Sequence, residues 1–165
     1  MLGQPRDGWS RLHLFDIDIE VDCFFGDDNP FNWLKACKFG LEKQLPATLL
    51  FDSEELGQTI VIADGSRTTI FIDDAYKGMS MRIYEDYNIR NLAEAIIMDI
   101  NRDFDSWKEC IGYFGHPKYS SREDIEFQSK MLMQGQYFCE LERVEMRLKT
   151  VLRETESALL KRNWK

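Results

Sequence analysis

Four carboxylates stand at alternate positions near the start of the chain, where Asp16, Asp18, Glu20 and Asp22 interleave with Phe15, Ile17, Ile19 and Val21. Successive side chains of a strand point to opposite faces, so residues 12–22 read as one strand with an apolar face and an acidic face. On that strand Asp16 and Asp18 would stand about 6.6 Å apart, at ~3.3 Å per residue. Two carboxylates so placed can share one or two Mg²⁺ ions and hold phosphate oxygens for phosphoryl transfer. The full ladder would span roughly 20 Å, too far for all four to meet at one ion. A solvated strand face, or a face that attracts a cationic partner, is the competing use. Repulsion along the ladder needs an offset, for which Arg82 on a neighbouring strand is a candidate.

The run Leu14-Phe15-Asp16-Ile17-Asp18 resembles the first motif of haloacid-dehalogenase-type phosphatases. The resemblance implies a nucleophilic Asp16, an acid/base Asp18 and a later acidic pair at Asp73-Asp74. It covers about five residues, and Ile19-Glu20 stands where that family has Gly-Thr. The antiparallel hairpins expected below also differ from the family's parallel sheet. Other chemistry is thinly supplied. His13 and His116 are the two histidines; His13 falls on the apolar parity of the first strand, and His116 could approach Cys110 from a turn. No phosphate-cradling glycine motif occurs, and neither a metal nor a cofactor is expected. Cys23, Cys37, Cys110 and Cys139 form no C-x-x-C pair and are expected to be reduced thiols.

The 165 residues, 44% apolar and 13% aromatic, suit a single domain over 1–165 with ample core. A net charge of −8 disfavours nucleic acid as a partner. Residues 1–30 hold seven acids against two bases, and so carry five of the eight net negative charges. The cluster Lys161, Arg162 and Lys165 fits a helix C-terminus without a ligand. No apolar run approaches the ~18 residues of a membrane span and no secretory-type stretch opens the chain, so a cytoplasmic protein without membrane contact is expected.

Asn29-Pro30 followed by Phe31, Leu34, Cys37 and Leu41 at helical spacing predicts a helix over about 30–44, stopped by Pro46. Residues 48–51, 59–63, 68–72 and 79–84 are β-rich runs divided by turn residues, with Asp64-Gly65 as a tight hairpin turn requiring positive φ. Asn88 caps a second predicted helix running unbroken from Ile89 to Ile111 and ended by Gly112, Gly115 and Pro117. Ser120 with Glu123 forms a capping box opening a long helical segment, 121–162, in which Gly135 could introduce a kink. Uninterrupted it would reach about 60 Å. Its stripe Tyr137, Leu141, Val144, Leu148, Val151, Thr155 and Ala158 packs inside the fold or against a second chain. The expected class is α+β, an antiparallel sheet of about five strands with helices on one face.

Acidity, size and missing catalytic motifs together point to an acidic protein-binding module for a basic protein, of the kind that inhibits a toxin or nuclease, as an immunity protein does. Its expected contact residues are Asp16, Asp18, Glu20, Asp22, Asp27 and Asp28, with Phe24, Phe25 and Trp33 as apolar anchors. A metal-dependent phosphoryl-transfer enzyme centred on Asp16 and Asp18, and an assembly protein dimerising through its C-terminal helix, are the alternatives.

Overall fold

A computed structural model describes residues 1–6, 9–23, 29–53, 56–114 and 136–161. Among the described residues six antiparallel strands follow one another in sequence order: β1 (Trp9–Leu14), β2 (Ile17–Asp22), β3 (Ala47–Asp52), β4 (Gly57–Ala63), β5 (Thr68–Asp74) and β6 (Gly78–Tyr84). The helices are α1 (Asn29–Lys43), α2 (Ile89–Arg102), α3 (Phe104–Phe114) and α4 (Gln136–Leu160). The class is therefore α+β as expected, with six strands instead of about five.

The additional strand comes from the acidic stretch. Residues 12–22 are not one strand but the inner parts of a hairpin, β1 and β2, joined by Phe15 and Asp16 with Leu14 opposite Ile17. Leu12 and Leu14 are buried on β1, as are Ile17 and Val21 on β2, so the apolar positions are even before the turn and odd after it. The adjacent apolar pair Leu14-Phe15 marks that change of phase. Two further expectations fall with the single strand. Phe15 is 51% exposed at the turn, and His13 points outward rather than into the core.

Local rules account for most of the remaining boundaries. Gln44 takes the left-handed conformation (φ 56°) and the Leu45 N–H returns to the Gly40 carbonyl at 3.1 Å, closing α1 just before Pro46. The hairpin between β4 and β5 is present, but the positive-φ glycines are Gly57 and Gly78 rather than Gly65. The Asp64 carboxylate makes that turn, accepting from the N–H groups of Ser66 (2.7 Å) and Arg67 (3.0 Å). Asn88 caps α2 with a reciprocal bond to Asn91. The helix expected to continue to Ile111 instead breaks at Asp103, whose backbone leaves helical values (φ −112°, ψ 32°) and whose carbonyl accepts from the N–H of Trp107. Arg102 holds both sides of this break, bonding Asp99 at 2.6 Å and Asp103 at 2.7 Å.

The helices cover one face of the sheet around a single apolar cluster. Leu49, Phe51, Val61, Ala63 and Ile70 face inward from the strands and meet Leu34 and Cys37 of α1, Ile96 and Ile100 of α2 and Trp107 of α3. Gly40 allows close approach of α1 and α2, because a Cβ there would lie 2.4 Å from Ile89 Cδ1 and 2.9 Å from the Leu45 carbonyl oxygen. The stripe Val144, Leu148, Val151, Thr155 and Ala158 on α4 is buried within the chain, and α4 packs on α1, α2 and α3. α4 is about 37 Å long at ~1.5 Å per residue, and its stripe from Val144 to Ala158 is occupied within the chain. The capping box at Ser120 and Glu123, Gly135 and His116 lie outside the described residues.

Candidate protein interface

The first hairpin gathers charge, but the chain supplies its own counter-ions. Arg11 on β1 grips Asp18 on β2 with both ends of its guanidinium, Nε to Oδ1 at 2.6 Å and Nη2 to Oδ2 at 2.9 Å, and His13 Nε2 approaches Oδ1 at 3.3 Å. The hydrogen bond from Arg11 holds the Asp18 carboxyl below its ordinary pKa, and the positive charge of Arg11 adds to it. Asp16 sits in the turn and accepts a short hydrogen bond from the Tyr84 hydroxyl, with Arg82 Nε 3.6 Å from its Oδ2. That bond, with the turn's own backbone and Arg82, lowers the Asp16 pKa. Burial first, then the facing carboxylate, pushes the Tyr84 phenol up to about 12.

Phe15 completes this clasp between the hairpin tip and the far end of the sheet. Its ring stacks on Tyr84 at 3.7 Å with an interplanar angle of 11°, and meets Tyr87 edge-on at 5.0 Å. Its backbone is left-handed (φ 58°), a conformation that a bulky side chain disfavours. The contacts to Tyr84 and Tyr87 hold that conformation in place.

The expected ladder of four outward carboxylates is therefore dispersed. Asp16 is in a turn, Asp18 is in an ion pair, Glu20 is exposed, and Asp22 is buried opposite the buried Asp52, its register partner on β3. Gln58 donates to Asp52 at 2.9 Å. Trp33 is a core residue rather than an exposed anchor: its Nε1 donates to the Leu50 carbonyl at 2.9 Å, and its ring meets Phe51 and Trp107. The helical spacing of Phe31, Leu34 and Cys37 shows which side of α1 is buried, and Trp33 borders that side. Phe24, Phe25, Asp27 and Asp28 lie outside the described residues.

For phosphoryl chemistry Asp16 and Asp18 are held by different cations, and a metal ion would have to displace Arg11 from one and compete with Arg82 and Tyr84 for the other. Among the described residues no group of three or more potential ligands could hold a metal ion. No described helix is long and apolar enough to cross a membrane.

Strand pairing creates a second surface that the order of residues alone does not show. On the sheet face away from the helices, Leu50, Ile60, Phe71 and Met81 are direct cross-strand partners from β3 to β6, forming one apolar row. Ile62 and Ile83 stand in the next row, with Thr48 and Thr69 between and beside them. Leu50, Met81 and Ile83 are each about half exposed (45%, 52% and 46%). Cross-strand neighbours on one face touch, so these residues form a continuous apolar patch. Carboxylates border it: Asp73 sits on the same face opposite Met79, and Glu85 follows β6, while exposed Glu20 stands farther off, beyond the end of β3. The signal for this face was the lack of alternation in Ile60-Val61-Ile62 and Ile70-Phe71-Ile72, which are apolar on both parities.

No family model matches the chain, and no match is found among curated proteins or solved structures.

Proposed function

We propose that the chain is an acidic protein-binding module whose partner is a basic protein, seated on the open face of β3–β6. The observation that carries this is the outward row Leu50, Ile60, Phe71 and Met81 with carboxylates at its border. An apolar centre supplies the desolvated contact area, and carboxylates beside it, Asp73 more than the Arg67-paired Glu85, favour a basic partner and speed its approach. Glu20 and the net charge of −8 contribute to that steering, whereas Asp16 and Asp18 contribute less because Arg82 and Arg11 partly neutralise them. The finer role that fits is an inhibitor or immunity protein occluding the basic surface of a toxin or nuclease.

The test starts with a partner captured from native extract at low salt, then purified and titrated calorimetrically. Leu50→Lys and Ile60→Lys place cations in the centre of the face and should weaken binding by about tenfold or more, with the circular dichroism unchanged. The triple variant Asp16→Lys, Asp18→Lys, Glu20→Lys should bind more slowly and with less salt dependence. Unchanged affinity in both Leu50→Lys and Ile60→Lys would remove this face as the interface. Saturable Mg²⁺ binding, lost in Asp16→Asn and Asp18→Asn, would instead favour phosphoryl-transfer chemistry at the hairpin.

A further inference from the structure

Strand β6 forms one end of the sheet, runs seven residues in unbroken register with β5, and leaves five of those residues exposed. Exposed edges of this length invite pairing with another chain, and proteins normally blunt them with proline, lysine, a bulge or a covering segment. Strand β6 contains no proline and no bulge. Its single charge, Arg82, reaches Asp16 of the hairpin tip, and its Nη1 caps the Met81 carbonyl of its own strand at 3.2 Å, a bond that pairing at this edge would replace with a backbone one. Met79, Met81 and Ile83 project from the open face, with Met79 79% exposed.

We infer that β6 pairs antiparallel with β6 of a second copy of this chain, about a two-fold axis through Met81, so that two sheets join into one. Met81 is the midpoint of the strand, and this register alone pairs the strand along its full length. It sets Met81 against Met81, Met79 against Ile83, Ser80 against Arg82 and Gly78 against Tyr84. No like charges face each other within the strand. One step beyond its ends the same register sets Lys77 of one copy against Glu85 of the other, and symmetry makes that contact twice. Both side chains are free to adjust, being 85% and 70% exposed and only loosely paired at present, Lys77 with Asp74 at 3.5 Å and Glu85 with Arg67 at 3.7 Å. A two-fold interface must be self-complementary, and the run Lys77-Gly78-Met79-Ser80-Met81-Arg82-Ile83-Tyr84-Glu85 is so in both shape and charge. The seam leaves Leu50, Ile60 and Phe71 open and goes beyond the proposed partner recognition; Met81 belongs to both surfaces, so partner binding is read with Leu50→Lys and Ile60→Lys alone.

Sedimentation equilibrium of the full chain tests this. The wild type should be dimeric at concentrations on the order of 100 µM. Met81→Lys and Met81→Glu each place like charges face to face at the axis and should raise the dimer dissociation constant by about tenfold or more. An equimolar mixture of the two should form heterodimers, because only in this register does position 81 meet its own counterpart. A monomeric wild type, a dimer indifferent to Met81→Lys, or a mixture that stays monomeric would each overturn the inference. Loss of partner affinity with the dimer intact would bear only on the open face.

Discussion

Replacing Phe15 tests whether the left-handed turn is held by its aromatic contacts. Phe15→Ala removes a stacked contact to Tyr84 and an edge contact to Tyr87, each worth about 0.5–1.5 kcal/mol. Lost burial of the half-covered ring adds roughly 1–2 kcal/mol at about 25 cal/mol per Å². The expected total is about 2–5 kcal/mol. Phe15→Gly loses the same contacts but releases the left-handed conformation, worth ~1–2 kcal/mol, while glycine's extra freedom in the unfolded chain takes back about 0.5–1 kcal/mol. Glycine should therefore match or exceed alanine here, by up to about 1.5 kcal/mol, the reverse of the order in an ordinary strand. Urea denaturation followed by tryptophan fluorescence gives both values, provided the slope stays the same across the series. At a slope near 2 kcal/mol per M, the alanine variant should lower the midpoint by about 1–2.5 M. A glycine variant less stable than alanine, or both within about 0.5 kcal/mol of wild type, would refute the idea that this tip is clamped against strain.

Further outcomes follow from other contacts. Because the folded-state pKa of Asp16 is lowered, its contribution to stability is complete above its ordinary value of 3.8 and fades as pH falls from there through the lower folded value. The stability difference between wild type and Asp16→Asn, measured by urea titration from pH 7 downward, should be constant to about pH 5 and shrink below it; a difference that grows on acidification would contradict that assignment. Gly40→Ala should destabilise by about 1–3 kcal/mol through its clash with Ile89 and the Leu45 carbonyl, against a helix-propensity gain of ~1 kcal/mol, so a stabilised variant in thermal melts would show that α1 and α2 are not in that contact. Cys37 is buried with its thiol pushed up to about 12, and Cys23 is raised well above its ordinary value by its hydrogen bond with Cys110 and by burial. Peptide mapping after brief treatment with a thiol reagent at neutral pH should find Cys23 and Cys37 unmodified in the native chain and modified in urea.

Much of the architecture was legible in the sequence because it is written in short-range rules. The span of α1 follows from Asn29-Pro30 at one end and Pro46 at the other, and the four later strands from runs of β-branched and aromatic residues between turn formers. The stripe on α4 identified its buried side. The first hairpin was harder to see, because a two-residue reversal preserves strict alternation on either side and leaves only the pair Leu14-Phe15 as a trace. The break at Asp103 leaves even less, since apolar spacing continues across it from Ile100 to Phe104 and Trp107.

The site divides in the same way. Composition established a chain with an excess of acid and no recognisable catalytic motif. Where the carboxylates point, and which cations reach them, was a matter for the folded chain: Arg11 lies seven residues from Asp18 and Tyr84 lies 68 from Asp16. The open apolar row likewise exists only after β3, β4, β5 and β6 pair in one register and the helices take the opposite face. Local preference and charge count are properties of neighbours along the chain. Counter-ion pairing, the burial of Trp33 and the exposure of Met81 are properties of neighbours in space, which no linear pattern contains.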